Sequence, residues 1–350
     1  MSQISTVLLG SSGIVSQYVQ FLLHGHPWFN LDYIAGSPNK VGSKVKHLPW
    51  TIEYSRPKPL DNIVLPLDDE SIIANLANKG VKVAISTIPS KFALNIEPIW
   101  AKHGIHVFSN ASSYRCREDV PTVVPEINAD RLLASTSNHV CATNCTLLSF
   151  LFAVYPILHN TELEHCDIKT EQALSGGGNK LLDEFSVKNT LSDNTIPGEA
   201  EKIIQEFGYI TQSSIPLDVS CKRVSRHHGH LVDIDLTFNR PTSVDELREK
   251  LTSFNQNQHL NLPSSPKKLI QFKDEINLDE DLWSDGIQMS TPNNETYHRG
   301  NGMAVTVGNF KQIDGSTIHF QGYSHNLIRG AAGGTILLAE LAYAKGILDS

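Results

Sequence analysis

The sequence predicts an α/β fold of two domains, one built on a parallel sheet and one on a mostly antiparallel sheet. Three features of the 350 residues carry that expectation. Short apolar runs alternate with helix-period segments up to Val140, the order that a doubly wound parallel sheet requires. A glycine turn joins the first run to the first helix. Beyond Asn144 the runs lengthen and alternate polar with apolar residues, as in Val232-Asp233-Ile234-Asp235-Leu236-Thr237-Phe238, the pattern of half-exposed strands in an antiparallel sheet.

The first strand is Thr6 to Leu9. It runs into Gly10-Ser11-Ser12-Gly13-Ile14-Val15-Ser16 and a helix through Leu23. Glycines at such a turn let the backbone approach a pyrophosphate, and the N–H groups that open the helix meet its charge. Residues 1–143 therefore read as a Rossmann-like dinucleotide-binding domain, with Gly10, Ser11, Ser12, Gly13, Ile14 and Val15 as the cradle. A second strand, Leu31 to Ala35, ends in Gly36-Ser37-Pro38-Asn39-Lys40 with no acid to hold a ribose 2′-hydroxyl. Ser37 and Lys40 suit a 2′-phosphate instead, which favours NADP over NAD. Lys40 reads equally well as a loop lysine in solvent. Val81 to Thr87 and His106 to Ser109 are further strands, with a helix from Phe92 to His103 between them. Ser86 opens the loop at a strand's carboxyl end, where ligands of such sheets bind, and joins the cofactor candidates.

Residues 144–325 form the second domain, an α+β unit for substrate binding and dimerisation. Its strands are expected at Glu164 to Thr170, Ile215 to Val219, Leu231 to Asn239 and Met303 to Phe310. A small-residue helix over 326–350 returns to complete the first domain. Cys145 stands directly before the apolar helix starting at Leu147. At a helix N-terminus a thiol meets the positive end of the macrodipole and unpaired N–H groups, which favour thiolate and can hold an oxyanion. Other polar residues sit where packing does not need them. Gln172 lies at a strand end before Ser175-Gly176-Gly177-Gly178. Glu199 and Lys202 share a helix face at i,i+3. Arg223 and His230 bracket a turn that leads into a strand. His227, His228 and His230 have no carboxylate or thiolate at fitting spacing, so no metal is expected.

A hydrophobic fraction of 40% supports a full core, and a formal charge of -8 argues against a nucleic-acid surface. Five cysteines, odd in number and without a CxxC pair, indicate neither a disulfide framework nor a zinc ribbon and fit a reducing cytoplasm. The first residues lack a basic leader pattern, and no apolar run reaches the roughly 18 residues of a membrane span.

Six ordered blocks resemble the aspartate-β-semialdehyde dehydrogenase family, in its archaeal and fungal branch. They are Ser109-Asn110-Ala111-Ser112-Ser113-Tyr114-Arg115, Val120-Pro121 to Pro125-Glu126-Ile127-Asn128, Asn144-Cys145-Thr146, Gln172-Ala173-Leu174-Ser175-Gly176, Arg223 to His230, and His325-Asn326-Leu327-Ile328-Arg329-Gly330-Ala331-Ala332-Gly333. The resemblance implies NADPH-dependent reduction of aspartyl phosphate to aspartate semialdehyde, in the synthesis of lysine, threonine and methionine. It implies Cys145 as nucleophile, His230 as general base and acid, Gln172 as the residue orienting the intermediate, and Asn144 with the Cys145 N–H as oxyanion donors. Arg223 would hold the substrate carboxylate, Glu199 its ammonium, and Lys202 with Arg115 the phosphate. Ser175, Gly176 and Asn326 would meet the cofactor. A homodimer or homotetramer is implied as well.

The chain departs from the family pattern at Ser16, usually glycine, at Thr143, usually proline, and in a shortened segment before Glu199. Ser16 is expected to crowd the first helix against its strand. Two other readings stay open: an acyl-CoA reductase of malonyl-CoA or succinyl-CoA type with the same thioester chemistry, and a non-catalytic nucleotide-binding paralogue.

Overall fold

The computed structural model describes residues 3–158, 163–191, 193–257, 260–289 and 298–349. The chain divides into two compact units. The first comprises Met1–Thr143, Leu262–Ser264 and Ala331–Ser350, and the second Asn144–Asn261 and Ser265–Gly330.

In the first unit the apolar runs become the strands of a six-stranded sheet. These are β1 (Ile4–Leu9), β2 (Phe29–Gly36), β3 (Leu65–Pro66), β4 (Val81–Ser86), β5 (His106–Ser109) and β6 (His139–Cys141), in the order β3-β2-β1-β4-β5-β6. Every pairing is parallel. The order reverses between β1 and β4, the kind of switch point at whose carboxyl ends such sheets bind ligands. Helix α1 (Ile14–Leu23) buries Ile14, Tyr18, Val19 and Leu22, an i, i+4, i+5, i+8 stripe. Helix α2 (Glu70–Asn78) starts at Asp69, whose carboxylate accepts the N–H groups of Ser71 and Ile72. Helices α3 (Ser90–Lys102) and α4 (Ala129–Ala134) follow.

A buried carboxylate ties these strands together. Glu97 on α3 is 0% exposed and accepts the hydroxyls of Ser86 at 2.5 Å and Ser109 at 2.7 Å, while its other oxygen meets His139 Nε2 at 2.9 Å. The ends of β4 and β5 and the start of β6 thus share one acceptor. Truncation would leave three polar groups buried without it. Glu97→Ala is expected to cost about 3 kcal/mol in urea unfolding, whereas an exposed site such as Asp61 should change stability by less than about 0.5 kcal/mol.

The second unit begins with α5 (Cys145–Leu158), followed by β7 (Leu163–Gln172), α6 (Gly178–Lys188), α7 (Glu199–Thr211), β8 (Leu217–Arg223), β9 (His230–Phe238), α8 (Val244–Asn257), β10 (Ile270–Phe272), β11 (Val305–Gln312) and β12 (Thr317–Ser324). Its six strands run β10-β11-β12-β9-β7-β8. The three inner pairings are antiparallel and the two edge pairings parallel, so the sheet is mostly antiparallel as expected. Helix α5 carries Leu147, Phe150, Leu151, Phe152 and Val154 at 0% exposure and packs on the inner strands, whose Val232, Ile234, Leu236 and Phe320 are equally buried. The alternate residues of those strands, among them Lys169, Asp233, Asp235 and His319, form a polar face with its own pairs, such as His319 Nδ1 to Asp235 at 2.7 Å.

Three expected elements shift, the strand placed at Met303 to Phe310 running over Val305–Gln312 instead. The strand placed at Ile215 to Val219 starts after Pro216, which lacks a ladder N–H, and runs on to Arg223. The C-terminal helix starts later than Asn326. The His325 ring accepts the N–H groups of Leu327 and Ile328, a wide turn covers Ile328–Ala332, and α9 spans Gly333–Ala344. The chain rejoins the first unit at Ala331, so Asn326 belongs to the second. Within the first unit, Glu340 of α9 accepts His26 Nε2 at 2.8 Å, the Ser264 N–H at 2.9 Å and the Ser264 hydroxyl at 2.5 Å, which ties residues 262–264 to that unit. No helix among the described residues is long and apolar enough to cross a membrane.

Candidate active site

In the first unit the glycine turn has the form a dinucleotide needs. Gly10 sits at φ +110°, and a Cβ there would come within 2.4 Å of Thr87 Oγ1, so any side chain is refused. Gly13 precedes α1 without a side-chain cap, which leaves the opening N–H groups of the helix to an anion. Ser11 is buried, Ser12 and Val15 are half-buried, and Ile14 packs inward. Ser16 does not crowd the helix. Its hydroxyl meets that of Thr87 at 2.7 Å, and Thr87 passes the chain on to the Leu9 carbonyl at 2.9 Å. Ser37 is exposed past the end of β2 and donates to Asn39, with half-buried Lys40 closing the same turn. These residues fit a nicotinamide dinucleotide. Ser86 is a correction: it is 0% exposed, its hydroxyl is spent on Glu97, and its carbonyl accepts the Asn110 N–H at 3.1 Å. Arg115, also in this unit, is half-buried and donates to the Asn110 carbonyl at 2.8 Å.

The second unit gathers the remaining candidates around the N-terminus of α5. Cys145 is half-buried and its Sγ lies 3.3 Å from His230 Nε2. Close approach is secured by Gly330, where a Cβ would stand 2.4 Å from the Cys145 Cβ. Asn144 caps the helix by accepting the Thr146 N–H at 2.8 Å, and its amide donates to Glu199 at 2.9 Å. One amide hydrogen of Asn144 is thus committed, and the second is left for an oxyanion. Gln172, at the end of β7 and 3% exposed, reaches the same Glu199 oxygen at 3.5 Å.

Glu199 opens α7, where a carboxylate favours the positive end of the dipole, and Lys202 Nζ stands 3.9 Å from its other oxygen. Arg223 ends β8 and donates to the Ala173 carbonyl at 2.8 Å. Burial pulls its pKa down, and Cys145 and Glu199 draw it back up, so the guanidinium lies within the field of both. A Cβ built on Gly176 would be 2.9 Å from Arg223 Nη1 and 3.0 Å from His230 Cε1, which places the Ser175-Gly176 turn over both side chains.

His230 is 0% exposed, and burial, with the charges of Arg223 and Arg226, pushes its pKa down to about 3. The imidazole is therefore neutral at ordinary pH. Neither of its neighbours is arranged as a metal ligand set with it, since His228 Nδ1 is bonded to the Ser175 hydroxyl at 3.0 Å and His227 packs edge-on against His228. Among the other thiols, burial pushes those of Cys166 and Cys221 up, away from thiolate.

Ser175 and Asn326, both cofactor candidates, bond to one another. Asn326 is 1% exposed, donates to the Ser175 hydroxyl at 2.9 Å and accepts the Gly229 N–H at 2.8 Å. Its amide thus pins the turn before His230, with one hydrogen committed to Ser175. One contact escapes sequence reasoning altogether. Glu206, 3% exposed on α7, accepts the Asn144 N–H at 2.7 Å, so α7 grips the residue before the nucleophile through its backbone as well as its side chain. The only sequence signal is spacing, because Glu199 and Glu206 are seven apart on one helix face.

Known proteins share the sequence and the fold. Residues 5–135 match the family described as semialdehyde dehydrogenase, NAD binding domain. The chain is 31% identical to an aspartate-semialdehyde dehydrogenase of Archaeoglobus fulgidus over 98% of its own length and 99% of the relative's. It is 28% identical to a malonyl CoA reductase (NADP) of Metallosphaera sedula over 99% and 98% of the two chains. A crystal structure of aspartate semialdehyde dehydrogenase with NADP from Candida albicans superposes with a TM-score of 0.77 at 25% identity, covering 99% of this chain and 100% of that one. With the parallel and antiparallel sheets, the glycine turn and a cysteine opening a helix beside a buried histidine all in place, the full-length match settles that the chain belongs to the aspartate-semialdehyde dehydrogenase family.

Proposed function

We propose that this protein is an NADP-dependent aspartate-semialdehyde dehydrogenase, which reductively dephosphorylates L-aspartyl 4-phosphate to L-aspartate 4-semialdehyde. The observation that carries the reading is the 3.3 Å contact between Cys145 Sγ and His230 Nε2 at the opening of α5, beside a guanidinium and a half-buried carboxylate. Cys145 gives its thiol proton to His230 Nε2 and attacks the β-carbonyl, phosphate leaves with the electron pair of the broken C–O bond, and an aspartyl thioester remains on sulfur. The second hydrogen of the Asn144 amide and the Cys145 N–H hold the oxyanion of each tetrahedral species. Reduced NADP supplies the hydride when bound in the glycine turn. The resulting hemithioacetal oxygen exchanges its proton with His230 Nε2, and collapse releases the aldehyde and the thiolate.

Charge supports the substrate. Arg223 suits the α-carboxylate, Glu199 the ammonium, and Lys202 with Arg115 the phosphate. A carboxylate held by Asn144, Gln172 and Lys202 has no use for a malonyl or succinyl group, which favours aspartyl phosphate over an acyl-CoA. Arg223→Lys keeps the charge and loses the fork, so KM for aspartate semialdehyde should rise about a hundredfold with a smaller change in kcat, in steady-state assays.

The reading also has the chain working in the cytoplasm and pairing with a second copy through the polar face of the second sheet. The direct test is reduction of NADP⁺ or NAD⁺ with L-aspartate semialdehyde and phosphate. Phosphate-dependent reduction with NADP⁺ preferred is the expected result. Reduction that needs coenzyme A in place of phosphate would move the assignment to an acyl-CoA reductase.

A further inference from the structure

Helix α7 buries one stripe, Ile203, Glu206, Phe207, Ile210 and Thr211, at i, i+3, i+4, i+7 and i+8. Its second member is out of place. A leucine there would satisfy packing, whereas a carboxylate that is 3% exposed is costly unless hydrogen bonds compensate it. Glu206 accepts the Asn144 N–H at 2.7 Å, across 62 residues of chain. That donor belongs to the residue before Cys145, and Asn144 is itself buried, where an unpaired backbone N–H is costly as well.

Asn144 is held at three points. Its N–H goes to Glu206, its Oδ1 accepts the Thr146 N–H at 2.8 Å, and its Nδ2 donates to Glu199 Oε1 at 2.9 Å. The last two bonds forbid an amide flip, because a flipped Asn144 would turn its oxygen to a carboxylate and its NH₂ to an N–H. They set the plane of the amide, and the first sets the backbone from which the amide projects. One Nδ2 hydrogen remains for an oxyanion next to Cys145, and a donor displaced by about 1 Å loses much of its effect.

We propose that Glu206 is a positioning residue for the oxyanion: by holding the Asn144 N–H it fixes the peptide that enters α5, so that the free hydrogen of the Asn144 amide points to the oxygen that develops charge when Cys145 is acylated. Glu206 touches no reacting atom and acts through Asn144. Because Glu199 reaches the same residue from the first turn of α7, one helix sets both the backbone and the amide of Asn144. The inference rests on the reading of Asn144 as an oxyanion donor to acyl transfer at Cys145.

Two reagents separate this role from a structural one. p-Nitrophenyl acetate acylates a thiol through an oxyanion, iodoacetamide alkylates it by direct displacement without one, and Cys145→Ser is the blank for both. In Glu206→Leu, which fills the stripe and removes the acceptor, acylation should slow about tenfold while alkylation changes by less than about twofold. Glu206→Met, of nearly the same length as glutamate, repeats the measurement if leucine impairs folding. Glu206→Gln keeps an acceptor oxygen and should restore acylation to at least about half the wild-type rate. In an Asn144→Ala background, already slowed by the lost donor, Glu206→Leu should cost less than about a further twofold. The proposal is overturned by unchanged acylation in the Leu, Met or Asn144→Ala variant, by equal losses of acylation and alkylation, by a Gln variant as slow as the Leu one, or by a full tenfold loss that persists beside Asn144→Ala. Neither reagent is aspartate semialdehyde, so failure here tells against Glu206, and failure of the phosphate-dependent assay tells against the substrate.

Discussion

Cys145→Ser is expected to abolish phosphate-dependent cofactor reduction, by at least about 10³-fold in kcat/KM, while the protein stays folded. The loss follows from chemistry and not from packing. A hydroxyl in place of the thiol is smaller and fits against Gly330. Its proton is far harder to remove, and the helix opening that suits a thiolate does not make an alkoxide. Circular dichroism and thermal melting of the variant should match the wild type. A variant that retains a tenth or more of the activity would exclude a thioester at this position.

His230→Asn should lower kcat by about 10² to 10⁴, the usual weight of a positioned acid–base group, with smaller changes in substrate affinity. Asparagine keeps a polar atom near Ala173 and cannot shuttle a proton. The variant also carries a stability signature. Folding holds the His230 pKa near 3, below the ordinary 6.5, so between those values the unfolded chain binds the extra proton. The contribution is fully present above about pH 6.5 and is lost as pH falls toward about 3, at on the order of 1.4 kcal/mol per unit of pKa difference. Denaturant unfolding at stepped pH should show a shallower acid decline for His230→Asn than for the wild type. An identical decline would mean that the imidazole takes up its proton in the folded state as readily as in the unfolded one.

What could be read in advance depends on how local its cause is. Strands β1, β4 and β5 announce themselves because each is an apolar run buried on both faces, and a run of that kind has few other uses. Strand β12 hides, since Thr317-Ile318-His319-Phe320-Gln321-Gly322 mixes ring nitrogens and glycine into a strand that its neighbours β9 and β11 define. Strands β3 and β6 are two and three residues long and exist only as partners of longer strands.

The candidate site divides in the same way. Cys145 is legible from its place before an apolar helix, and Glu199 and Lys202 from their spacing. The tasks of Glu97 and Glu206 are not, because a buried carboxylate is defined by the donors that converge on it from distant parts of the chain. Ser86 shows the opposite failure. Its position at a strand end suggests a ligand contact, and only the structure reveals that Glu97 has already claimed its hydroxyl. Ser16 looks like a defect in the glycine turn until Thr87, 71 residues away, supplies its partner.

The thioester on Cys145 is tested most directly by omitting phosphate. Enzyme mixed with L-aspartate semialdehyde and NADP⁺ should give a single burst of about one reduced cofactor per chain and then stall, with intact mass and peptide mapping placing an aspartyl group on Cys145. Adding phosphate should discharge the adduct and restore turnover. Sustained turnover without any acceptor, or phosphate-dependent turnover with no burst and no adduct, would contradict covalent catalysis at this cysteine.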